Sequence, residues 1–290
     1  MYQVIALLGA VCFAVAAVLQ QKGTLLSTSS ETDPKFARDL FTTPVWLAGA
    51  GLLVVGWILQ AVALDRGPLM VVQAITSLSL VIALPFGIWI TNQVVRGREW
   101  LGAGATVAGI AVFLSVGSPS QGTDQPTAAA WWTAGIASVL LLGLLAWFGY
   151  HRSGAAKAAL LGAGAGVAFA FQASVTKDFV SVISGGLDAV LTSWTTYALI
   201  MSALLGGALQ QTALKTGVLA PAMATTSSVT LFGSILLGGI VFEETLAHGG
   251  GQFAPAIIGL AVALGGIGLL AGSRPNSPVT SGSEQPGIGA

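Results

Sequence analysis

The sequence predicts an all-α integral membrane protein whose nine transmembrane helices form two inverted-topology repeats, five helices followed by four. Composition is the first reason, because 54% of the 290 residues are hydrophobic and only 8% are charged. A water-soluble domain of this length needs a larger charged surface. The second reason is a series of apolar stretches, each about 20 residues long, which is the length needed to cross a bilayer. The third is an internal repeat.

Nine apolar stretches, taken in chain order, predict the spans that we number 1 to 9. We expect each to be helical, because backbone groups in hydrocarbon must be satisfied within their own segment and the alternation typical of a barrel strand is missing. Span 1 has no Lys or Arg before it and no clear cleavage site, so we expect it to be retained. The spans cover residues 2–21, 44–64, 69–91, 100–117, 131–150, 156–177, 190–214, 218–242 and 253–272.

Basic residues are unevenly distributed once these spans are threaded through a membrane. Nine of the 11 fall on one side, whereas Arg66 and Lys177 fall on the other. By the positive-inside rule we expect a multi-pass protein of the cell membrane, inner or plasma, with its N-terminus outside and its C-terminus in the cytoplasm. The nine are Lys22, Lys35, Arg38, Arg96, Arg98, Arg152, Lys157, Lys215 and Arg274.

Tryptophans and low-complexity segments add detail to this topology. Most tryptophans lie at or near predicted span ends, where an amphipathic ring prefers the membrane interface. The segments 118–130 and 273–290 are rich in Ser, Pro, Gly and Thr, so we expect flexible, exposed chain there. The six interfacial tryptophans are Trp46, Trp89, Trp100, Trp131, Trp132 and Trp147.

The internal repeat emerges when the chain is compared with itself at an offset of 150 residues. Residues 56–77 then align with residues 206–227, with identities at 10 of 22 positions. Spans 2 and 3 thus match spans 7 and 8. Two registers remain open for the match of span 1 to span 6. Span 4 is matched to span 9 by setting Gly102 and Gly109 on Gly259 and Gly266.

Matching spans are five crossings apart, so the second copy is inserted upside down relative to the first. Inverted repeats are the architecture of many secondary transporters, which hold substrate near the midplane and alternate access between the two sides. We therefore predict a first repeat over residues 1–150, a second over 151–272, and a disordered cytoplasmic tail over 273–290.

Polar residues within the predicted spans are the candidates for a substrate path. Polar side chains in hydrocarbon face protein or water, and these gather on repeat-related spans. The alternative is that they bridge helices, which is favoured for any single Ser or Thr, while for Gln the two interpretations balance. The candidates are Gln20, Gln60, Gln73, Thr76, Ser77, Gln172, Gln210, Pro221, Thr226 and Ser227.

Prolines and glycines add local expectations. We predict that Pro85 and Pro221 interrupt spans 3 and 8, each removing an intrahelical hydrogen bond and freeing a carbonyl. Gly67 and Gly217 are expected to permit tight hairpins. The glycines between residues 162 and 166 are expected to allow close helix contact rather than to cradle a phosphate.

Charged residues at predicted span ends are usually interface anchors, and this is the interpretation favoured for Lys177 and the other lysines. Glu243 and Glu244 are the candidates for coupling transport to an ion or proton. No span interior carries an acidic residue, which counts against a Mg²⁺ site held by one or two carboxylates, and the sequence assigns no metal ligands. No nucleophile, base and orienting acid converge, so we expect neither an enzyme nor a cofactor.

The chain resembles the drug/metabolite transporter superfamily over most of its length. The resemblance rests on the hairpins 63–69 and 213–219 and on Phe242-Glu243-Glu244 at the end of span 8. Nine spans, an outside N-terminus and the segment 18–23 resemble its EamA-like and NIPA-like branch, which is linked to magnesium transport. The first repeat departs from the pattern, because Asn92-Gln93 stand where relatives carry an acidic residue.

These observations predict a transporter that moves a small polar metabolite or drug-like solute by alternating access. The alternatives are a NIPA-like carrier of Mg²⁺ or another divalent cation, and a membrane scaffold that transports nothing. The expected partners are the lipid bilayer and a small-molecule or cation substrate. No basic patch for nucleic acid is seen, and the sequence leaves monomer and homodimer open.

Overall fold

The computed structural model describes residues 1–26, 42–92, 95–123, 125–216, 219–246 and 253–271, and within these ranges the regular structure is helical, without strands. Large apolar side chains are exposed along the outer helices, such as Val139 at 68% and Leu204 at 63%. Such a surface suits contact with lipid rather than water. The helices are α1 Tyr2–Leu26, α2 Pro44–Arg66, α3 Leu69–Ser77, α4 Ser79–Thr91, α5 Gly97–Gly117, α6 Ala128–Tyr150, α7 Gly154–Ile183, α8 Leu187–Thr192, α9 Trp194–Leu214, α10 Leu219–Phe242 and α11 Phe253–Ala271.

Eight helical segments in the described residues are long and apolar enough to cross a membrane, and they match predicted spans 1 to 8. Span 3 is built from α3 and α4 together. Helix α11, the predicted span 9, has a shorter apolar part, Ala254–Leu270. The structure is thus that of a multi-pass helical membrane protein with eight candidate spans, and the ninth stays a prediction.

Span 3 is broken at Leu78, between α3 and α4. Immediately before the break, the Thr76 hydroxyl donates to the Val72 carbonyl at 2.8 Å and the Ser77 hydroxyl to the Ala74 carbonyl at 2.7 Å. Hydroxyls that bond back onto their own helix tend to bend it. Pro85 was expected to interrupt this span, but it lies inside α4, so the prediction located the break wrongly.

The other predicted break is also absent. Helix α10 begins at Leu219, which places Pro221 in its first turn. Amide groups of a first turn have no intrahelical partner, so a proline there removes no hydrogen bond, and the prediction that Pro221 interrupts span 8 was wrong. Gly217 of the same hairpin lies outside the described residues.

Gly67, in the first hairpin, is needed for a different reason from the one predicted. Its backbone is extended, with φ −149°, a conformation open to any residue. A Cβ added at this position would overlap the ring of Tyr2, which packs against the turn. Close approach of α1, rather than turn geometry, therefore excludes a larger residue.

Helix α7 lies at the centre of one group of helices and packs against α6, α9 and α10. Helix α1 packs against α2 and α4, and α5 packs against α11. Helix α3 lies between these groups, contacting α1 and α10, and every residue of 69–75 is buried. The start of α3 is thus held inside the bundle. The first amide groups of a helix have no acceptor within it, so those of α3 need partners from elsewhere in the protein.

Glycines bring the tightest helix pairs together. In the α5–α11 pair, a Cβ added to Gly109 would meet the Gly259 carbonyl at 2.5 Å, and one added to Gly266 would meet the Gly102 carbonyl at 2.6 Å. In the α7–α10 pair, a Cβ on Gly162 would lie 2.5 Å from the Ala222 carbonyl. The expectation of close helix contact at residue 162 is confirmed, and it reflects how small residues let backbones approach in membrane proteins.

Candidate functional site: a buried lysine–glutamate pair

The backbone just after α10 turns back toward the bundle. Glu243 adopts the left-handed conformation, with φ 54°, which is uncommon for a residue other than glycine. The Glu244 amide then donates to the Gly238 carbonyl at 3.0 Å and so satisfies one of the last carbonyls of the helix. As a result Glu243 is exposed while Glu244 points into the bundle with 3% of its surface accessible.

The carboxylate of Glu244 binds the start of α3. Its Oε1 atom accepts from the Leu69 amide at 2.5 Å and its Oε2 atom from the Met70 amide at 2.9 Å. These are the first amide groups of the helix, which have no partner within it and carry the positive end of its dipole. One carboxylate therefore neutralises the N-terminus of α3 from a segment 175 residues away in the chain.

Lys177 of α7 completes the charge balance. Its Nζ atom donates to Glu244 Oε1 at 2.7 Å, and only 6% of the lysine side chain and none of the glutamate side chain is accessible. The ammonium also lies 4.3 Å from the centroid of the Phe242 ring, close enough for a cation–π interaction. The pair and its ring join α3, α7 and α10 at one end of the bundle.

Lys177 was expected to extend its side chain to the membrane interface, but the structure buries that side chain in the ion pair instead. Span 6 was predicted to end at this residue, but α7 continues to Ile183, so the lysine lies a turn and more inside its helix. Trp131 was also expected at the interface. Its ring lies edge-on to Phe242, with ring centroids 5.9 Å apart, and 5.0 Å from Trp194, and its place at the interface stays a prediction.

The loop after α5 supports the turn that carries Glu244. The Ser120 amide donates to the Thr245 carbonyl at 2.8 Å, and the Thr123 amide donates to the Phe242 carbonyl at 2.6 Å. Gly122 has φ 65°, and a Cβ there would overlap the Phe242 carbonyl. Part of the segment 118–130, expected to be flexible, thus has defined hydrogen-bond partners.

Two further buried polar residues lie on helices of this junction, Gln73 on α3 and Ser234 on α10. Gln73 is 5% exposed and Ser234 is fully buried. The Gln73 Nε2 and Ser234 Oγ atoms have no hydrogen-bond partner among the described residues. Buried polar groups are nearly always paired in native structures, so these two atoms require an explanation.

The remaining predicted site residues are distributed over several helix contacts. Gln20 and Gln60 lie at the α1–α2 contact, beside Gly49 and Gly9. The Thr226 hydroxyl donates to the Gly162 carbonyl at 3.0 Å and so bridges α10 and α7, while Thr76 and Ser77 bond to their own helix. Gln172, Gln210, Pro221 and Ser227 are half-buried. Of the candidates, Gln73 and Glu244 are brought to the same junction.

Sequence reasoning missed Lys177 and Ser234 as site residues. One signal could have identified Lys177. If the helix is allowed to continue past this residue, as it does to Ile183, the lysine lies within the helix rather than at its end. Ser234 had none, because a single serine in an apolar stretch is indistinguishable from packing. Among the described residues, no group of three or more His, Cys, Asp or Glu could hold a metal ion.

Comparison with known proteins gives two relatives. Over 205 residues the chain is 30% identical to the uncharacterized protein Cgl0250/cg0304 of Corynebacterium glutamicum, which covers 68% of the chain and 70% of that protein. Over 136 residues it is 28% identical to the probable magnesium transporter NIPA9 of Arabidopsis thaliana, which covers 46% of the chain and 39% of that protein. No family model and no solved structure matches the chain.

Proposed function

We propose that this chain, which belongs to the family of the uncharacterized protein Cgl0250/cg0304, is a multi-pass membrane transporter that moves a small polar solute by alternating access. The buried pair of Lys177 and Glu244 is the main support for this proposal. Ionisable residues inside the membrane are costly and are usually found on ion or substrate pathways. Similarity to a probable magnesium transporter supports the general class.

The α5–α11 contact supports the inverted repeats on which alternating access depends. The repeat pairs Gly102 with Gly259 and Gly109 with Gly266. In the structure Gly102 contacts Gly266 while Gly109 contacts Gly259. Each glycine of α5 therefore contacts the residue that is equivalent to the other glycine of α5. This reciprocal pattern is what a two-fold axis between two antiparallel copies produces.

A second pair of contacts supports the same relationship. Gly56 and Gly206 are equivalent in the repeat, and each faces a phenylalanine ring of the helix that begins its own half. A Cβ on Gly56 would lie 2.6 Å from Phe13 in α1, and one on Gly206 would lie 2.7 Å from Phe169 in α7. The α1–α2 and α7–α9 pairs thus share a glycine–phenylalanine contact.

The Glu244 carboxylate connects the two predicted repeats. Helix α3 belongs to the first repeat, whereas α7 and α10 belong to the second. The bonds from Leu69 and Met70 to Glu244 therefore cross between the halves at one end of the bundle. For the halves to rock apart at this end, these bonds must break, so the pair acts as a latch that holds the end closed.

The latch depends on Glu244 rather than on its neighbour. Removal of the Glu244 charge, as in Glu244→Gln, would weaken the bonds from α3 and leave Lys177 as an unbalanced buried charge, which favours opening. This gives Glu244 the coupling role in our proposal. Glu243, the other predicted coupling residue, supplies the left-handed turn and is exposed.

Transport of Mg²⁺ is the second candidate, favoured by the similarity to NIPA9. The geometry favours a neutral polar solute instead. Mg²⁺ is usually bound by one or two free carboxylates with several waters, and the Glu244 oxygens are already engaged by two amides and an ammonium. A Mg²⁺ path would have to use carbonyls and hydroxyls.

Thiol accessibility tests the latch without knowledge of the substrate. Cys12 is the only cysteine, so a Cys12→Ala chain carrying Ser234→Cys reports water access beneath the pair. We expect Glu244→Gln to speed labelling by a membrane-impermeant maleimide at least tenfold, since about 1.4 kcal/mol of lost stabilisation gives that factor. Glu243→Gln is the matched control. Equal labelling rates in all three chains would refute alternating access at this end and favour a scaffold.

Flux measurements separate the two substrates. Purified protein in liposomes would be assayed for Mg²⁺ entry with an internal indicator. Saturable entry that Glu244→Gln abolishes and Glu243→Gln retains would place Mg²⁺ first. Flux no greater than that of empty liposomes, in protein shown to be folded, would exclude Mg²⁺ and leave the neutral solute.

A further inference from the structure

We infer that Gln73 and Ser234 form a binding subsite for a neutral hydrogen-bonding group, an amide or hydroxyl of a small solute, just beneath the Lys177–Glu244 pair. The inference rests on the proposed function and names the chemistry of its substrate. Its starting point is the pair of polar atoms without partners among the described residues, Gln73 Nε2 and Ser234 Oγ. A group that bonded to both would remove the cost of burying them.

Helix geometry brings the two side chains to the same place. Helices α3 and α10 run antiparallel, since the start of α3 meets the chain just after the end of α10. Met70 Cγ lies 3.0 Å from the position of a Cβ on Gly238, which fixes the register between the helices. Gln73 lies about 4.5 Å further along α3 and Ser234 about 6 Å back along α10, so both are at nearly the same depth.

The two side chains also share a direction. On α3, Leu69 and Val72 belong to the core cluster that includes α7, whereas Met70 and Ala74 belong to the cluster that includes α5 and α11. Gln73 lies between these two faces of its helix. On α10, Ser234 lies in the same way between Leu237 of the first cluster and Ile235 of the second. Both residues therefore face the α3–α10 contact.

The surroundings favour a neutral ligand. The charges above the subsite, Lys177 and Glu244, neutralise each other, and the wall toward α7 is formed by uncharged residues such as Ala170, Ala173 and Ser174, whose hydroxyl donates to the Ala170 carbonyl at 3.1 Å. An ion here would need a new counter-charge, because an isolated charge is strongly disfavoured in such surroundings. The Gln73 amide needs an acceptor and the Ser234 hydroxyl can donate or accept, which an amide or hydroxyl group satisfies.

Stability of two variants tests whether the atoms are free for a ligand. Gln73→Met and Ser234→Ala remove the unpaired atoms with little change in shape. If no protein group bonds them, each variant should unfold about 2 °C higher than the unaltered chain, because an unpaired buried polar group is lost. A lower unfolding temperature in both variants would show a structural role and refute the subsite.

Small probes test the ligand class in the same full-length protein. Unfolding temperatures would be measured in equal concentrations of acetamide, sodium acetate and methylammonium chloride. We expect acetamide to raise the value by about 2 °C more in the unaltered chain than in Gln73→Met, with no such difference for the two ions. Comparison with Gln73→Met cancels general solvent effects.

The result is informative whether or not the protein transports. No difference between the chains in acetamide, or a larger one in either ion, would overturn the inference. Failure of the proposed function would be seen instead in the thiol labelling and flux experiments, which do not depend on these probes. A chain that binds acetamide through Gln73 but shows no alternating access would keep the subsite and lose the carrier mechanism.

Discussion

The ammonium of Lys177 and the carboxylate of Glu244 are 67 residues apart in the chain and 2.7 Å apart inside the helix bundle. Each of the two groups also has contacts beyond this ion pair. Glu244 also accepts two amides at the start of α3, and Lys177 also lies over the Phe242 ring. The pair is thus a junction of three helices, and its energetics depend on all of these contacts.

Lys177→Met is expected to destabilise the protein strongly. The methionine fills most of the volume of the lysine, but Glu244 is left as a buried carboxylate without its counter-charge, at a cost of about 3 kcal/mol. Lys215→Met is the matched control, because Lys215 is exposed at the end of α9. Thermal unfolding in detergent, followed by tryptophan fluorescence, measures both. A similar effect of the two substitutions would show that the pair contributes little.

Reversing the pair is expected not to restore stability. In the Lys177→Glu, Glu244→Lys chain the Coulomb attraction is kept. Lysine has donors only, however, so the amides of Leu69 and Met70 would face an ammonium and lose both acceptors. The unfolding temperature of the reversed chain should therefore be no higher than that of Lys177→Met. Recovery of the original unfolding temperature would mean that attraction alone matters and that the start of α3 is unimportant.

Gly109→Ala is expected to disturb the α5–α11 contact. The added Cβ would overlap the backbone of α11 at Ala263 and Gly259, which cannot shift as a side-chain tip can. Overpacking of this kind costs about 1–3 kcal/mol. Gly104→Ala on the same helix is the control, since its Cβ would meet no heavy atom of the described residues within 4 Å. If both substitutions lowered the unfolding temperature equally, close packing at Gly109 would not explain the effect.

Hydropathy located the spans well, because the length and composition of an apolar stretch are local properties. Eight of the nine predicted spans correspond to helices that could cross a membrane. Helix ends were less predictable. Span 6 was predicted to end at Lys177, where its apolar stretch ends, but α7 extends to Ile183. The partner that makes the buried charge tolerable lies 67 residues away, and no local pattern reports it.

The candidate site was only partly predictable for the same reason. Glu243 and Glu244 were predicted together because the family resemblance falls on both and no basic residue is nearby in sequence, and sequence could not tell which one turns inward. That choice is made by the left-handed conformation of Glu243, which directs Glu244 into the bundle. Ser234 is distinguished from other serines only by its hydroxyl, which is buried without a partner among the described residues, and the sequence does not report this.

Gly122→Ala is expected to loosen the turn that presents Glu244. Gly122 has φ 65°, and its Cβ would overlap the Phe242 carbonyl, which also accepts from the Thr123 amide. Gly154→Ala separates the two causes, because Gly154 has φ 57° but no heavy atom of the described residues lies within 4 Å of its Cβ position. Backbone strain alone costs about 1–2 kcal/mol in either variant.

The excess effect of Gly122→Ala over Gly154→Ala therefore measures contact with the α10 turn. In the Cys12→Ala, Ser234→Cys background, Gly122→Ala should also accelerate maleimide labelling, as Glu244→Gln does, whereas Gly154→Ala should not. If labelling stayed slow in Gly122→Ala while its unfolding temperature fell, the loop would stabilise the fold without holding Glu244 in place. The latch would then depend on the α10 turn and the start of α3 alone.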